Sequence, residues 1–145
     1  MDHDEKVLPH VFEISMGIDR SLYTILEHNL HDDKEHERIV LSLRPYLSPI
    51  HVGILSLVKK DGLKEKTDEI YLQIKRKYDA FLDHSGAIGR RYRRLDEIGT
   101  PFAITVDHQT LEDGTVTMRK RDSMEQQRVK ISELDSIIAE SIAYP

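Results

Sequence analysis

At 145 residues, with 39% hydrophobic residues, eight histidines and no cysteine, the chain has room for one ordinary domain with a real core and too little for two large ones. Disulfides and thiolate metal sites are excluded, and no apolar run reaches the roughly 20 residues that cross a bilayer. The net charge of −5 hides an asymmetry: residues 1–50 carry ten acids against five bases, residues 88–131 nine bases against seven acids. A basic face within an acidic chain is therefore open, and phosphate binding follows the local field rather than the total. The opening "MDHDEKVLPH" has neither the basic start nor the apolar core of a signal peptide, so a cytoplasmic protein is expected.

In chain order, Val11 to Ser15 reads as a short apolar strand, and after a turn at Gly17 the residues Ile18, Leu22, Ile25, Leu26 and Leu30 recur at helical spacing. "HDDKEHER" is polar and aperiodic and reads as a loop, "IVLSL" as a strand, and Pro45 and Pro49 punctuate a connector. A domain boundary is expected there, with residues 1–44 on one side and 45–145 on the other. Beyond it, "HVGILSLVK" is a strand of the buried kind, and a helix follows whose Ile70, Ile74 and Tyr78 fall on one side. "AFLDH" is a second strand, residues 88–98 a helix, and "PFAITV", "TVTMRK" and "QRVKI" three further strands. "TVDHQTLEDGTVT" has the length and turn residues of an antiparallel hairpin. Ser132 in "SELD" is a capping signal for a last helix carrying Leu134, Ile137, Ile138 and Ile142. The expected fold class is α/β: a mixed five-stranded sheet with about three helices, plus an N-terminal strand-helix piece.

"GRRYRR" sets four arginines within five residues. Winding at 100° per residue gathers Ile88, Tyr92, Leu95 and Ile98 on one face, turns Arg90, Arg93 and Glu97 the opposite way, sets Arg94 to one side and leaves Arg91 near the apolar seam. From charge alone this reads first as a solvated face with Arg93 and Glu97 as a weak i,i+4 pair. Alternation in "TVTMRKR" adds Thr115, Thr117, Arg119 and Arg121 on one side of a strand, close to Asp122, Ser123 and Gln126. Arginine forks with neutral donors and acceptors suit phosphates and unstacked bases, so single-stranded RNA is the favoured ligand class. Two mechanical alternatives stand beside it: Ser123 and Gln126 fit an S-x-x-Q capping box, and Asp96 and Glu97 either organise the arginines as ion pairs or accept from base amino groups such as cytosine's. Phe102 alternates with Ile104 and Val106 and is expected in the core, with base stacking as its other reading.

"GRRYRRLDEIGTPFAITVD" followed by "TVTMRKRDSMEQQRVKISEL" resembles the C-terminal anticodon-binding domain of the class II glycyl-tRNA synthetases of the α2 type, over essentially all of residues 50–142. "VFEISMGIDRSLYTILEH" resembles motif 3 of the class II catalytic domain, V-I-E-P-S-x-G-x-x-R, with Ile14 in place of the proline. The resemblance implies that Arg90, Arg93, Arg94, Asp96, Glu97, Arg119, Arg121 and Asp122 bind the anticodon. It implies that Arg20 grips ATP phosphates as a catalytic residue, and that Glu13 and Ser15 line the glycine pocket. It further implies ATP and Mg2+ as cofactors of the full-length enzyme and none for this piece. The implied partners are glycine tRNA, glycine and a second subunit in a homodimer, with no membrane and no DNA. Motifs 1 and 2 have no room upstream of residue 11, so the chain is expected to be an inactive fragment cut within the catalytic domain, with residues 1–38 less well ordered than the rest. The rival class is a non-catalytic descendant of the domain serving as an interaction or polymerase-accessory module.

The cluster His31, Asp32, Asp33, Glu35 and His36 reads as a solvated loop rather than a metal site, and no metal is expected. His51, His84 and His108 stand singly in sequence, and no serine, histidine and acid set recommends itself for nucleophilic catalysis.

Overall fold

The computed structural model describes residues 8–58 and 62–144. "HVGILSLVK" supplies the central strand, β3 (Val52–Ser56), all five residues of which are buried. It pairs in parallel with β4 (Ala80–Asp83) on one side and β5 (Phe102–Val106) on the other. Beyond β5, β6 (Thr115–Lys120) and β7 (Gln126–Lys130) continue antiparallel, giving the order β4-β3-β5-β6-β7. The mixed five-stranded sheet is as the sequence predicts, since helical crossovers make parallel neighbours and a short connection makes an antiparallel one.

Strand alternation sends Val52, Ile54, Phe102, Ile104, Val106, Val116 and Met118 to one face. There α2 (Leu63–Lys75) contributes Leu63, Ile70 and Ile74, and α5 (Leu134–Ile142) contributes Leu134 and Ile138. Phe102 thus belongs to the core, at 7% exposure. Leu55 and Ala103 face the other way and meet Leu95 of α3 (Ile88–Glu97), with Ile88, Tyr92 and Ile98 around them. Helix α3 sits low on the sheet because Gly53 has no side chain: a Cβ there would fall 2.3 Å from Leu95 Cδ1. The helix ends at Gly99, whose φ of +83° suits glycine, and Thr100 N–H returns to Leu95 O at 2.9 Å.

Several expectations need correction. "HDDKEHER" is not a loop but most of a hairpin, β1 (Leu30–Asp33) paired antiparallel with β2 (Arg38–Leu41), with Asp33 opposite Arg38. Its polar turn is fixed because the Asp33 carboxylate accepts from His36 N–H and from Arg38 Nε. Residues Val11 to Ser15 form no strand: they pair with nothing among the described residues, and Val11, Phe12 and Ile14 are exposed. The helix that follows, α1 (Ile18–Asn29), is present with no buried residue. Strands β5 and β6 are antiparallel neighbours, but the connection is a short helix, α4 (His108–Asp113), started by a capping box of Asp107 and Thr110. Ser132 caps nothing, since a 3-10 turn at Ile131–Glu133 runs straight into α5. Ser123 and Gln126 make no capping box either, because Gln126 opens a strand.

A candidate nucleic-acid interface on the arginine helix

Helix α3 divides its arginines by direction. Arg90 and Arg93 are exposed; among the described residues Arg93 forms its one ion pair with the exposed Glu37, at 3.9 Å. Arg94 is half exposed and donates Nη1 to Asp83 Oδ2 at 2.7 Å. Arg91 is buried, as its place near the seam foretold, and donates Nη1 to Ser56 O and Asp83 O at the ends of β3 and β4. Burial lowers the Arg91 pKa, with the Asp83 charge acting against it. Burial would raise the pKa of Asp83, but the Ser85 N–H and hydroxyl, then Arg94 and Arg91, hold it below the ordinary carboxylate value.

The arginines of β6 and the turn after it are interior groups. Arg119, 5% exposed, forks onto Asp96 with Nη1 to Oδ1 at 2.7 Å and Nη2 to Oδ2 at 2.9 Å. Its guanidinium lies 4.9 Å from the Tyr92 ring centre, and the Tyr92 hydroxyl bonds Thr105 Oγ1 at 2.6 Å. Arg121, 2% exposed, donates to Gly99 O, to Leu43 O and to the carboxylate of Asp122, which is itself exposed. Asp96 is 1% exposed and Glu97 lies on the surface, so only the first organises arginines.

Beyond Tyr92 the α3 side of the sheet is uncovered at Thr115, Thr117, Gln126 and Arg128, which are half-buried or exposed. Arg128 stands opposite Thr117 on β7 and donates to Thr115 Oγ1 at 2.7 Å, to Thr117 Oγ1 and to Asp107. Sequence reasoning passed it over, although pairing "TVTMRK" with "QRVKI" places it on the same face as the threonines. The surface as a whole offers the exposed arginines of α3, a shelf of hydroxyls and amides, and the acids Glu97 and Asp122. Two clefts flank the Arg121–Asp122 turn, one of about 310 Å³ bordered by His31, Asp33 and Arg38, one of about 370 Å³ bordered by Pro101, Lys120 and Ser123. Phosphates, and bases with free edges, fit such a surface.

In the N-terminal segment, Glu13, Ser15 and Arg20 are all exposed; Ser15 and Arg20 border one open cleft that does not include Glu13. Among the described residues no three or more His, Asp or Glu side chains gather as a metal would require. His84 does not stand alone: its Nδ1 meets Ser56 Oγ and its Nε2 meets Asp68 Oδ1, each at 2.9 Å. Ser56 is 1% exposed, so this array ties α2 to the ends of β3 and β4 and admits no substrate.

The anticodon binding domain family matches residues 51–141. The chain belongs to that family. It is 53% identical over 137 residues to a protein of Methanothrix thermoacetophila named Glycine–tRNA ligase, a match covering 92% of this chain and 24% of that one. It is 47% identical to the Glycine–tRNA ligase of Clostridium perfringens, over 97% of this chain and 31% of the relative. The chain thus spans about a quarter to a third of the length of these relatives. The RNA binding domain of threonyl-tRNA synthetase from Cryptosporidium parvum superposes with a TM-score of 0.65 at 20% identity, over 72% of this chain and 26% of that one, which establishes the shared fold. The arginine helix lies inside the region that the anticodon binding domain family matches.

Proposed function

We propose that this chain is the tRNA-recognition portion of an enzyme that activates glycine with ATP to glycyl-adenylate and transfers it to glycine tRNA. The observation that carries the reading is the 53% identity to a glycine–tRNA ligase over 92% of the chain, which runs through the motif-3-like segment and the anticodon-binding domain together. Within it, Arg90 and Arg93 contact anticodon-loop phosphates, with Arg94 and Arg128 at the margins. Glu97 and Asp122 accept from base amino groups, in keeping with the cytosines at the second and third anticodon positions. Arg119, Arg121 and Asp96 hold that surface in shape from beneath.

Residues 1–44 belong, in this reading, to the catalytic domain. Arg20 suits ATP phosphates as a planar five-donor cation, and Glu13 and Ser15 suit a substrate ammonium. ATP with Mg2+, glycine and a second subunit are partners of the longer protein, and the compartment is the cytoplasm. Among the described residues no helix is long and apolar enough to cross a membrane.

The test is binding of this chain to glycine tRNA and to the same tRNA with its anticodon cytosines replaced, at two salt concentrations. Preference for the native anticodon that persists at higher salt is expected. Arg90→Ala with Arg93→Ala should weaken both RNAs and reduce the slope of log K against log salt by roughly 0.7 per lost phosphate contact. Absence of binding to either RNA at low salt would overturn the reading in favour of an interaction module.

A further inference from the structure

We propose that Arg38, on the β2 strand of the hairpin and outside the 51–141 region that the family matches, is a positioning residue for RNA binding by helix α3. Its side chain is 7% exposed, with its edge on the cleft shared by His31, Asp33 and Asp122 and its guanidinium nitrogens Nε and Nη1 turned to protein partners. One guanidinium holds three elements. Nε donates to Asp33 Oδ2 on the facing strand at 2.9 Å; Nη1 donates to Asp96 Oδ2 near the C-terminal end of α3 at 2.9 Å and to Arg121 O at the β6 turn at 2.8 Å.

Each partner of this knot leads to the interface. Asp96 is shared with Arg119, which stacks on Tyr92 of the same helix. Arg121 returns the connection by donating to Leu43 O, just after β2, and to Gly99 O, just after α3. Ser48 Oγ adds a further bond to Gly99 O at 2.7 Å. The C-terminal end of α3 is therefore clamped from the N-terminal side of the chain, while its other end is held by Arg91 on the strand ends. Two arginines and two aspartates balance: Asp33 and Asp96 neutralise Arg38 and Arg119. Burial works to lower the Arg38 pKa, and the bonds to Asp96 and Asp33 more than offset it, so the group stays charged. Lysine could not replace it, because a single ammonium on a flexible stem cannot span Asp33 on one side and Asp96 with the Arg121 carbonyl on the other.

Positioning matters because phosphates are met several at a time. If the tilt of α3 against the sheet changes, Arg90, Arg93 and Arg94 no longer match the spacing of one RNA backbone together with Arg128. The inference rests on the RNA-binding reading above, and its test separates the two. Arg38→Met and, as a milder change, Asp33→Asn are compared with the unaltered chain after near-UV circular dichroism confirms a native fold. Binding of glycine tRNA should weaken about tenfold in Arg38→Met, and the salt slope should fall by roughly one phosphate contact although no exposed charge was removed. Asp33→Asn should move both quantities the same way by less. In the absence of RNA, amide NMR shifts should move along residues 88–98 and 121–123 in both variants. Shift changes confined to the hairpin, or a folded Arg38→Met or Asp33→Asn whose affinity and slope are unaltered, would overturn the proposal. Should Arg38→Met fail to fold, Asp33→Asn decides by the same criteria. An unaltered chain that binds no RNA would refute the functional reading, and the NMR comparison would still decide whether Arg38 positions α3.

Discussion

Replacing Gly53 by alanine drives a methyl group into Leu95. The added Cβ would lie 2.3 and 2.6 Å from the two Leu95 methyl carbons and 3.0 Å from Cγ, against an ordinary carbon–carbon separation of about 3.5–4.0 Å. Leu95, 2% exposed and wedged against Leu55 and Ala103, has to withdraw by more than 1 Å or α3 has to lift. Overpacking of this kind costs about 1–3 kcal/mol. Leu95→Ala alone leaves a hole under α3 and costs about 2–5 kcal/mol. Combined, the new methyl occupies part of that hole. The double variant should then be no less stable than Leu95→Ala, a coupling of about 1–3 kcal/mol. Urea unfolding of the four proteins at constant m reads this out; with m of about 1–3 kcal/mol/M, a 2 kcal/mol loss moves the midpoint by roughly 1 M. Simple additivity of the two single changes would refute the view that Gly53 sets the clearance of α3.

Asp83 is buried with its pKa held down, chiefly by the Ser85 N–H and hydroxyl against the cost of burial. A depressed folded pKa contributes stability that is fully present above the unfolded value of about 3.9 and is lost as pH falls through the lower folded value. Stability measured from pH 6 downward should therefore fall less steeply in Asp83→Asn below about pH 4 than in the unaltered chain, and parallel curves would count against this. Tyr78 is pushed up to about 12, first by burial and then by its bonds to Asp135. Here the stabilising contribution is complete below about pH 10 and disappears as pH rises toward 12; the 295 nm absorbance step missing from Tyr78→Phe should be centred near pH 12. Helix α1 buries nothing, so its amides should exchange faster than those of β3 and β5, and equal protection would contradict that.

The sheet was legible because its strands are either continuously apolar, as in β3 and β5, or alternate cleanly, as in β6. The hairpin β1–β2 was not, because β1 is exposed along nearly its whole length and its "HDD" carries no apolar period. What specifies it is the Asp33 turn, a side-chain signal that periodicity does not register. Helix α4 spans only six residues, too short for a stripe, although the pair Asp107 and Thr110 announced its start. Reading Val11 to Ser15 as a strand assumed partner strands that no described residue supplies. At the interface, the helical wheel sorted α3 correctly down to Arg91. The interior placement of Arg119 and Arg121 escaped because charge argues for exposure until a partner is known. Those partners, Asp96 and the carbonyls of Leu43 and Gly99, lie between 22 and 78 residues away along the chain.

The division of arginines into exposed and interior sets fixes where recognition is free to drift. Arg90 and Arg93 are charges in water, and exchanging them should alter stability by no more than about 0.5 kcal/mol. Arg91, Arg119 and Arg121 each satisfy buried oxygens, and losing one strands a carboxylate or carbonyl in the interior. A lineage, or an engineer, seeking a new RNA preference on this scaffold can therefore rewrite the outer residues one at a time without first buying back stability. The inner three can change only together with the groups they serve. The same helix thus offers an adaptable margin on a fixed footing, and libraries built for altered anticodon choice belong at positions 90, 93 and 97 rather than at 91, 119 or 121, or at 122, whose carboxylate pairs with Arg121.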